Sequence, residues 1–180
     1  MPATMGLASF YSQAQQRDFS RKFQLKVLSI GGILNENDNV YITTSTLPGY
    51  SISNIQVPYM GLQFNVPGTG KFEGSDAWAV TFRCDAQLNI RQKLIEWQKV
   101  IFNSFVDDGT ESTGNISPRA QASLADLWLI GNDGTTQIRK FELIGVYPVS
   151  VGALDYDTTD NGEVVTLAVT LAYQWWNLKA

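Results

Sequence analysis

Few side chains in this sequence are of a type that catalyses reactions near neutral pH. Of its 180 residues none is histidine and one, Cys84, is cysteine. The absence of histidine excludes Ser/His/Asp and Cys/His catalysis and any zinc site that needs an imidazole. A single cysteine can form neither an intramolecular disulfide nor a metal-binding cysteine cluster, and it suits a reducing compartment.

The segment Gly68-Thr69-Gly70-Lys71 faintly resembles a phosphate-binding loop. Such a loop needs a glycine five positions before its second glycine and a serine or threonine after the lysine. Asn65 and Phe72 occupy those two positions. We therefore predict no nucleotide site here.

Three aspartates, Asp155, Asp157 and Asp160, have part of the spacing of a calcium-binding loop. An EF-hand would need Asp or Asn at position 159 and glycine at position 160, and neither is present. A tight acidic turn is the favoured interpretation. The sequence thus predicts a protein that is not an enzyme and has no cofactor and no metal.

Composition indicates one folded domain spanning residues 1–180. The chain has a mass of 19.9 kDa, 44% hydrophobic and 17% charged residues, so it can bury a core and does not belong to the disordered class. Its net charge of −4 disfavours strong nucleic-acid binding. The N-terminus lacks the features of a signal peptide, and no apolar run is long enough to span a bilayer, so no membrane association is expected.

Charge is distributed unevenly along the chain. Residues 1–30 carry four basic side chains against one acidic, whereas residues 106–163 carry ten acidic side chains against three basic. A solvated surface accounts for most such charges, and head-to-tail attraction between copies is the alternative.

Bulky and small residues alternate along most of the chain with the period of two that is typical of β-strands. In the clearest case the bulky side chains of Val165, Leu167, Val169, Leu171 and Tyr173 share one side of a strand. Eight such segments predict a sandwich or a barrel-like sheet: 23–30, 40–47, 51–57, 59–66, 77–84, 124–131, 137–147 and 165–174.

One segment has helical periodicity instead. Its apolar residues recur every three or four positions from Ile90 to Phe105, which predicts an amphipathic helix over 89–105 capped by Asn89 with Gln92. The polar stretch 107–123 that follows predicts a mobile loop, and residues 1–20 an N-terminal extension. The pair Trp175-Trp176 suits either the core or a partner surface.

Two ordered blocks of residues go beyond this generic patterning. The first contains Leu47-Pro48-Gly49, Ile55, Val57, Pro58, Gly61, Val66-Pro67-Gly68, Phe72, Trp78-Ala79-Val80-Thr81, Asp85, Arg91, Leu94 and Trp97. The second contains Gly145–Gly152, Leu154–Asp157, Val165–Tyr173 and Trp175-Trp176. Together, over about residues 20–176, they resemble the tail tube protein of contractile-tailed bacteriophages of the T-even type.

The resemblance implies a mainly β fold: a rolled β-sandwich or barrel with one flanking α-helix, forming a continuous β-barrel in a hexameric ring. Stacked rings would form a tube around a tape-measure protein, starting from a baseplate tube-initiator and enclosed by a tail sheath protein. DNA in transit would pass through without specific binding. The protein would be part of the virion and assembled in the host bacterial cytoplasm.

The resemblance also assigns three surfaces. A hairpin over 47–72 would reach the neighbouring ring through Pro48, Gly49, Tyr50, Ile52, Ile55, Met60 and Leu62. Because bulky residues of an inner strand must face the core, the lumen would be lined by Thr166, Ala168, Thr170, Ala172, Gln63 and Asn65. The next lumen candidates are Ala79, Thr81 and Arg83, of which Arg83 would need a nearby carboxylate from Glu142 or Asp85. An outer helix would meet the sheath through Arg91, Lys93, Glu96 and Lys99.

Two alternatives remain open at this stage. The same fold could form the inner tube of a phage-like contractile injection or secretion system, or a baseplate tube-initiating ring. A more distant alternative is a carbohydrate-binding β-sandwich module, because exposed Trp and Tyr side chains can stack on sugars.

Overall fold

A computed structural model describes residues 6–101, 123–157, 159 and 162–179. Its two α-helices are α1 (Leu7–Gln16) and α2 (Asn89–Ile101), and short 3₁₀ turns occur at Lys22–Gln24 and Asp38–Tyr41. Its strands are β1 (Leu25–Ile30), β2 (Ile42–Ser45), β3 (Gly49–Tyr59), β4 (Leu62–Glu73), β5 (Trp78–Arg83), β6 (Leu124–Ile130), β7 (Gln137–Ile144), β8 (Tyr147–Val151), β9 (Thr166–Ala172) and β10 (Trp175–Lys179). The fold is mainly β, as the alternation predicts.

The strands form two four-stranded antiparallel sheets and one separate hairpin. The first sheet has the order β1-β6-β7-β10, the second has the order β2-β5-β9-β8, and β3 pairs with β4 alone. In both sheets the strands that lie side by side are not always consecutive in the sequence, so distant parts of the chain meet in each sheet.

One buried cluster unites both sheets with α2. The first sheet contributes side chains such as Leu127 and Leu143, and the second contributes Trp78 and Leu167. The helix adds the predicted Ile90, Leu94 and Trp97. Apolar burial on this scale is the dominant stabilising contribution to such a domain.

The strand prediction needs two corrections. The predicted strand 137–147 is divided into β7 and β8, because Gly145 has a φ of +72° that interrupts the extended backbone. The predicted break near Pro58 is absent: β3 runs through it, and the turn lies at Met60 and Gly61, whose φ values are +48° and +82°. Positive φ at both central positions is the pattern of a two-residue hairpin turn of type I′.

The C-terminal Trp pair forms the start of β10, which the periodicity did not predict. Trp176 is half-buried, its Nε1 donates to the Gly49 backbone oxygen at 3.2 Å, and its ring lies beside Phe72 and Phe141. Trp175 is exposed. Strand alternation therefore gives the two tryptophans different environments.

The helices also differ from expectation. The extension predicted for residues 1–20 contains α1, so the fold has a second helix besides α2. In α2, Asn89 is the first helical residue and donates its backbone and side-chain N–H groups to Asp85, while Gln92 donates to Glu96. Asp85 thus takes the role predicted for Asn89. The remainder of the predicted helix and the loop over 107–122 lie outside the described residues.

Candidate functional surfaces

The outer face of the β2-β5-β9-β8 sheet carries small and polar side chains. Thr166 and Ala168 of β9 are exposed and Thr170 is half-buried, whereas the bulky residues between them are buried: Leu167, Val169 and Leu171. The buried side of β9 is therefore the side that the alternation predicts, and the lumen itself stays a prediction. The two central strands share this outer face. In their register, β5 residues lie opposite β9 residues as the pairs Ala79–Thr170, Thr81–Ala168 and Arg83–Thr166.

Ala172 does not belong to that face. It is only 3% exposed, and the adjacent Tyr173 is buried as well. The chain crosses at this point from one sheet to the other: Tyr173 N–H donates to Ser75 and Gln174 N–H donates to Ile144. Because both sides of the backbone are covered at the crossing, the prediction that Ala172 lines a lumen is wrong.

Two further lumen predictions, Gln63 and Asn65, fall on a different element. Both are exposed, but they lie on β4 in the separate hairpin rather than in the sheet that carries Thr166. That Gln63 and Asn65 line the lumen stays a prediction, because they do not share a sheet with Thr166.

Among the described residues, Arg83 forms no ion pair with either carboxylate that was expected beside it. Glu142 lies in the other sheet near Lys140 and Lys179, and Asp85 accepts from Asn89 at the start of α2. Arg83 is exposed, so solvent can screen its charge.

The hairpin has one apolar and one polar face. The cross-strand pairs Ile55–Val66, Val57–Phe64 and Tyr59–Leu62 lie on one side, and the intervening pairs are polar or proline: Asn54–Pro67, Gln56–Asn65 and Pro58–Gln63. We call the first set the apolar hairpin face. All six of its side chains are exposed, which is unusual for residues of these types.

The base of the hairpin is attached to the body by aromatic contacts. Tyr50 and Phe72 are cross-strand partners with ring centroids 5.2 Å apart, and Phe72 also meets Trp176. A Cβ at Gly70 would overlap the Tyr50 hydroxyl, so a larger residue there would require the ring to move. An irregularity in pairing between Ile52 and Asn54 separates this base from the apolar hairpin face. Pro48 and Gly49 are half-buried beside it.

In the part of the chain that the structure describes, the sequence features considered for chemistry have ordinary local structure. Gly68 and Gly70 lie within β4, so this segment is a strand rather than a phosphate loop. Burial and the nearby Asp85 charge raise the pKa of the Cys84 thiol, and the charge of Arg91 opposes this only in part. Because the pKa is raised, the thiol is protonated near neutral pH. Asp157 accepts hydrogen bonds from the backbone and hydroxyl of Thr159, as in a tight turn. Among the described residues no group of three or more His, Cys, Asp or Glu is arranged to hold a metal.

Residues 10–179 match the family described as phage tail tube protein. The chain belongs to this family. Tail tube protein gp19 of Enterobacteria phage T4 is 30% identical over 161 residues, covering 88% of this chain and 91% of the relative, and gp19 of Enterobacteria phage T6 gives the same values.

Solved structures share the fold of this tail tube protein. A chain of the sheath-tube complex of the PVC extracellular contractile injection system, in its extended state, has a TM-score of 0.57 and 16% identity, covering 94% of this chain and 97% of that one. A chain of the anti-feeding prophage tube terminating cap has a TM-score of 0.59 and 15% identity, covering 91% and 92%. No helix in the described part of the tail tube protein is long and apolar enough to cross a membrane.

The predicted sheath-facing residues of the tail tube protein are not equally exposed. Glu96 and Lys99 of α2 are exposed, but Arg91 and Lys93 are half-buried. Lys93 Nζ lies 2.9 Å from Asp38, because the Asp38–Tyr41 turn packs beside the helix. Burial alone would raise the pKa of Asp38, but the Asn35 N–H and the Lys93 ammonium outweigh it and hold that pKa below its ordinary value. Lys93 therefore belongs to an intramolecular ion pair.

Sequence reasoning missed several exposed apolar residues of the tail tube protein. Val57, Tyr59, Phe64 and Val66 complete the apolar hairpin face, and the cross-strand register brings the two strands' apolar residues together. Leu7, Phe10 and Tyr11 of α1 are exposed on a helix that has no buried residue. Spacings of three and four residues from Leu7 were the available signal for that helix.

Proposed function

We propose that this protein polymerises as stacked hexameric rings into the inner tube of a contractile phage tail, which conducts DNA during ejection. It performs no catalysis; its function is to assemble and to leave a smooth passage. The observation that carries the proposal is one sheet that has a small, polar outer face and whose outer strands pair with no further strand among the described residues.

The two outer strands of that sheet support ring closure. β2 and β8 are the outer strands of the sheet that contains β5 and β9. Unpaired strand edges invite pairing with another chain, and closure into a continuous barrel removes them. Six copies joined edge to edge would turn the exposed face of Thr166, Ala168 and Ala79 toward the axis.

The chemistry of that face supports passage of DNA. Small and hydroxyl-bearing side chains offer few adhesive contacts, and the net charge of −4 repels a polyanion. Thr166, Ala168 and Thr170 are therefore the proposed lumen residues on β9, with Ala79 and Thr81 beside them. Before DNA enters, a tape-measure protein would occupy the same passage.

The other partners follow from the outer surfaces and from the relatives. The exposed part of α2 at Glu96 and Lys99 is the proposed contact with a tail sheath protein, and a baseplate ring would initiate the tube. The protein would reside in the virion after assembly in the host bacterial cytoplasm.

Electron microscopy of the purified protein tests the proposal. We expect hexameric rings at low concentration and open-ended tubes at high concentration or on an added baseplate nucleus. Protein that remains monomeric under all these conditions would contradict the proposal. If the monomer also bound a glycan array, a carbohydrate-binding module would replace it.

The inner tube of an injection system is the second candidate, favoured by the shared fold with the PVC and anti-feeding prophage chains. The higher identity of 30% to phage proteins favours the phage tail. Neighbouring genes distinguish the two candidates: capsid and terminase genes accompany a phage tail, whereas their absence beside a sheath gene indicates an injection system.

A further inference from the structure

The outer strands of the two four-stranded sheets differ in charge. In the first sheet the outer strands β1 and β10 each contain a lysine, Lys26 and Lys179. In the second sheet the outer strands β2 and β8 contain no charged side chain. A lysine on an outer strand opposes the addition of a further strand, because pairing would bring its charge out of water. The two strands proposed to close the ring therefore lack the protection that the other two have.

Strand β8 has protection of a different kind. Its pairing with β9 shifts between Pro148 and Ser150, so Val149 has no partner in the register. Pro148 has no backbone N–H to donate to an added strand. Bulges and prolines are both features by which natural proteins prevent pairing at an outer strand. β8 is thus irregular at its centre.

Helix α2 makes a contact with the same irregular residue. The helix packs beside β8, and Gln98 Nε2 donates to the Val149 backbone oxygen at 3.3 Å. Gln98 is half-buried there. Because Val149 lies outside the β8–β9 register, its oxygen can accept a hydrogen bond from a donor other than β9. A strand added to β8 would compete with Gln98 for this oxygen.

We propose that the Gln98–Val149 contact is autoinhibitory: it covers the outer edge of β8 in the free subunit and is displaced when a strand of a second copy pairs there. This inference rests on the proposed ring closure through β2 and β8, and it names what regulates that closure. A lysine on the strand would oppose pairing permanently. An uncharged amide can instead rotate into water without a charge being buried.

The size of the effect follows from the kind of contact. The net contribution of one uncharged hydrogen bond corresponds to about a fivefold change in an equilibrium constant. That is small beside an interface of ordinary size, which buries about 1,600 Å². The contact should therefore raise the concentration at which rings form and leave the ring itself possible.

Replacement of the donor tests the proposal. Gln98→Met removes the N–H group and keeps a side chain of similar length. We expect the midpoint concentration of ring formation, measured by analytical ultracentrifugation without a baseplate nucleus, to fall about fivefold. Gln92→Met is the matched control on the same helix, because Gln92 donates to Glu96 instead of to β8, and its midpoint should equal that of the parent. Gln98→Leu, also without a donor, takes its place if Gln98→Met does not fold.

A second variant tests whether Gln98 acts through the edge of β8. Val149→Lys gives this strand the lysine that β1 and β10 already have, at an exposed position. Combined with Gln98→Met, it should prevent ring formation at concentrations where Gln98→Met alone forms rings. Leu178→Lys, exposed on β10 of the other sheet, is the control and should leave the effect of Gln98→Met unchanged.

The outcomes separate this inference from the proposed function. If the parent forms rings and Gln98→Met forms them at the same or a higher concentration, the inference is wrong and the tube function stands. Rings that form equally well with Val149→Lys would also overturn it, because Gln98 would then act elsewhere. A parent and variants that all stay monomeric, with or without a baseplate nucleus, would contradict the proposed function itself.

Discussion

Tyr173 donates its phenolic hydroxyl to the backbone oxygen of Glu73 at 2.6 Å, which joins the end of β9 to the end of the hairpin strand β4. These residues are one hundred positions apart in the sequence. The contact connects the sheet proposed to line the lumen with the hairpin proposed to reach another copy. The contact therefore holds the end of that sheet strand beside the base of the hairpin.

The Tyr173 contact predicts a loss of stability in alkali. Burial, together with the charges of Asp76 and Glu73, raises the pKa of Tyr173 above its ordinary value of 10. Above about pH 10 the unfolded chain therefore loses this proton before the folded chain does, and stability falls as pH rises. Tyr173→Phe should reduce this pH dependence and cost about 1 kcal/mol at neutral pH. Urea denaturation between pH 7 and 11 measures both effects, and equal alkaline slopes for the two proteins would contradict the prediction.

Gly31 is predicted to be required by the packing of Trp97. A Cβ at Gly31 would lie 2.4 Å from Cη2 of this buried ring, whereas Gly32, with a similar positive φ, has open space around it. Gly31→Ala should therefore destabilise the protein by at least about 1 kcal/mol more than Gly32→Ala, because only the former overpacks the core. Equal unfolding free energies for the two variants would show that backbone strain alone is responsible.

The hairpin prediction uses two adjacent positions on opposite faces. Val57→Lys puts a charge on the apolar hairpin face, and Gln56→Lys puts the same charge on the polar face. Both variants should fold with a stability within about 0.5 kcal/mol of the parent, because both sites are exposed. We expect only Val57→Lys to lose tube formation in negative-stain images. Deleting residues 50–56 would be less specific, because Tyr50 packs against Phe72.

The lumen prediction concerns Ala168, an exposed residue opposite Thr81 on the proposed inner face. Ala168→Lys should preserve the sheet and add six cations to each ring, so DNA should be retained or ejected more slowly at low salt and recover at high salt. Gln137→Lys, on an exposed position of the other sheet, is the control and should leave ejection unchanged. If both variants slow ejection equally, the inner face is assigned wrongly.

Reversing an ion-paired charge on α2 and reversing an exposed charge on α2 should have different effects on stability and assembly. Lys93→Glu replaces an ion pair by repulsion from Asp38 and should lower the free energy of unfolding by about 1 kcal/mol. Glu96→Lys changes an exposed charge and should preserve tubes while weakening their attachment to the sheath. Co-sedimentation of tubes with sheath protein measures attachment. Loss of the tubes themselves in Glu96→Lys would place the helix in a subunit interface instead.

The sequence by itself determined which local elements form and which of their sides is buried, where the pattern of apolar residues is regular. The alternation from Val165 to Tyr173 identified β9 and its buried side, and the spacing of Ile90, Leu94 and Trp97 identified the buried side of α2. These predictions succeeded because a side chain's face follows from strand or helix period alone. The family resemblance rested on the order of such segments along most of the chain, and the match over residues 10–179 confirmed it.

Only the tertiary structure decided which segments meet. Ala172 continues the alternation of β9, yet the crossing between the sheets buries it. Val57 and Phe64 became one surface through the hairpin register, and β1 and β2 became the walls of one groove through the order of strands in two different sheets. Such relations depend on contacts between distant residues, which a local period does not encode. The period assigns each side chain a face, and the packing of the whole chain decides whether that face is covered.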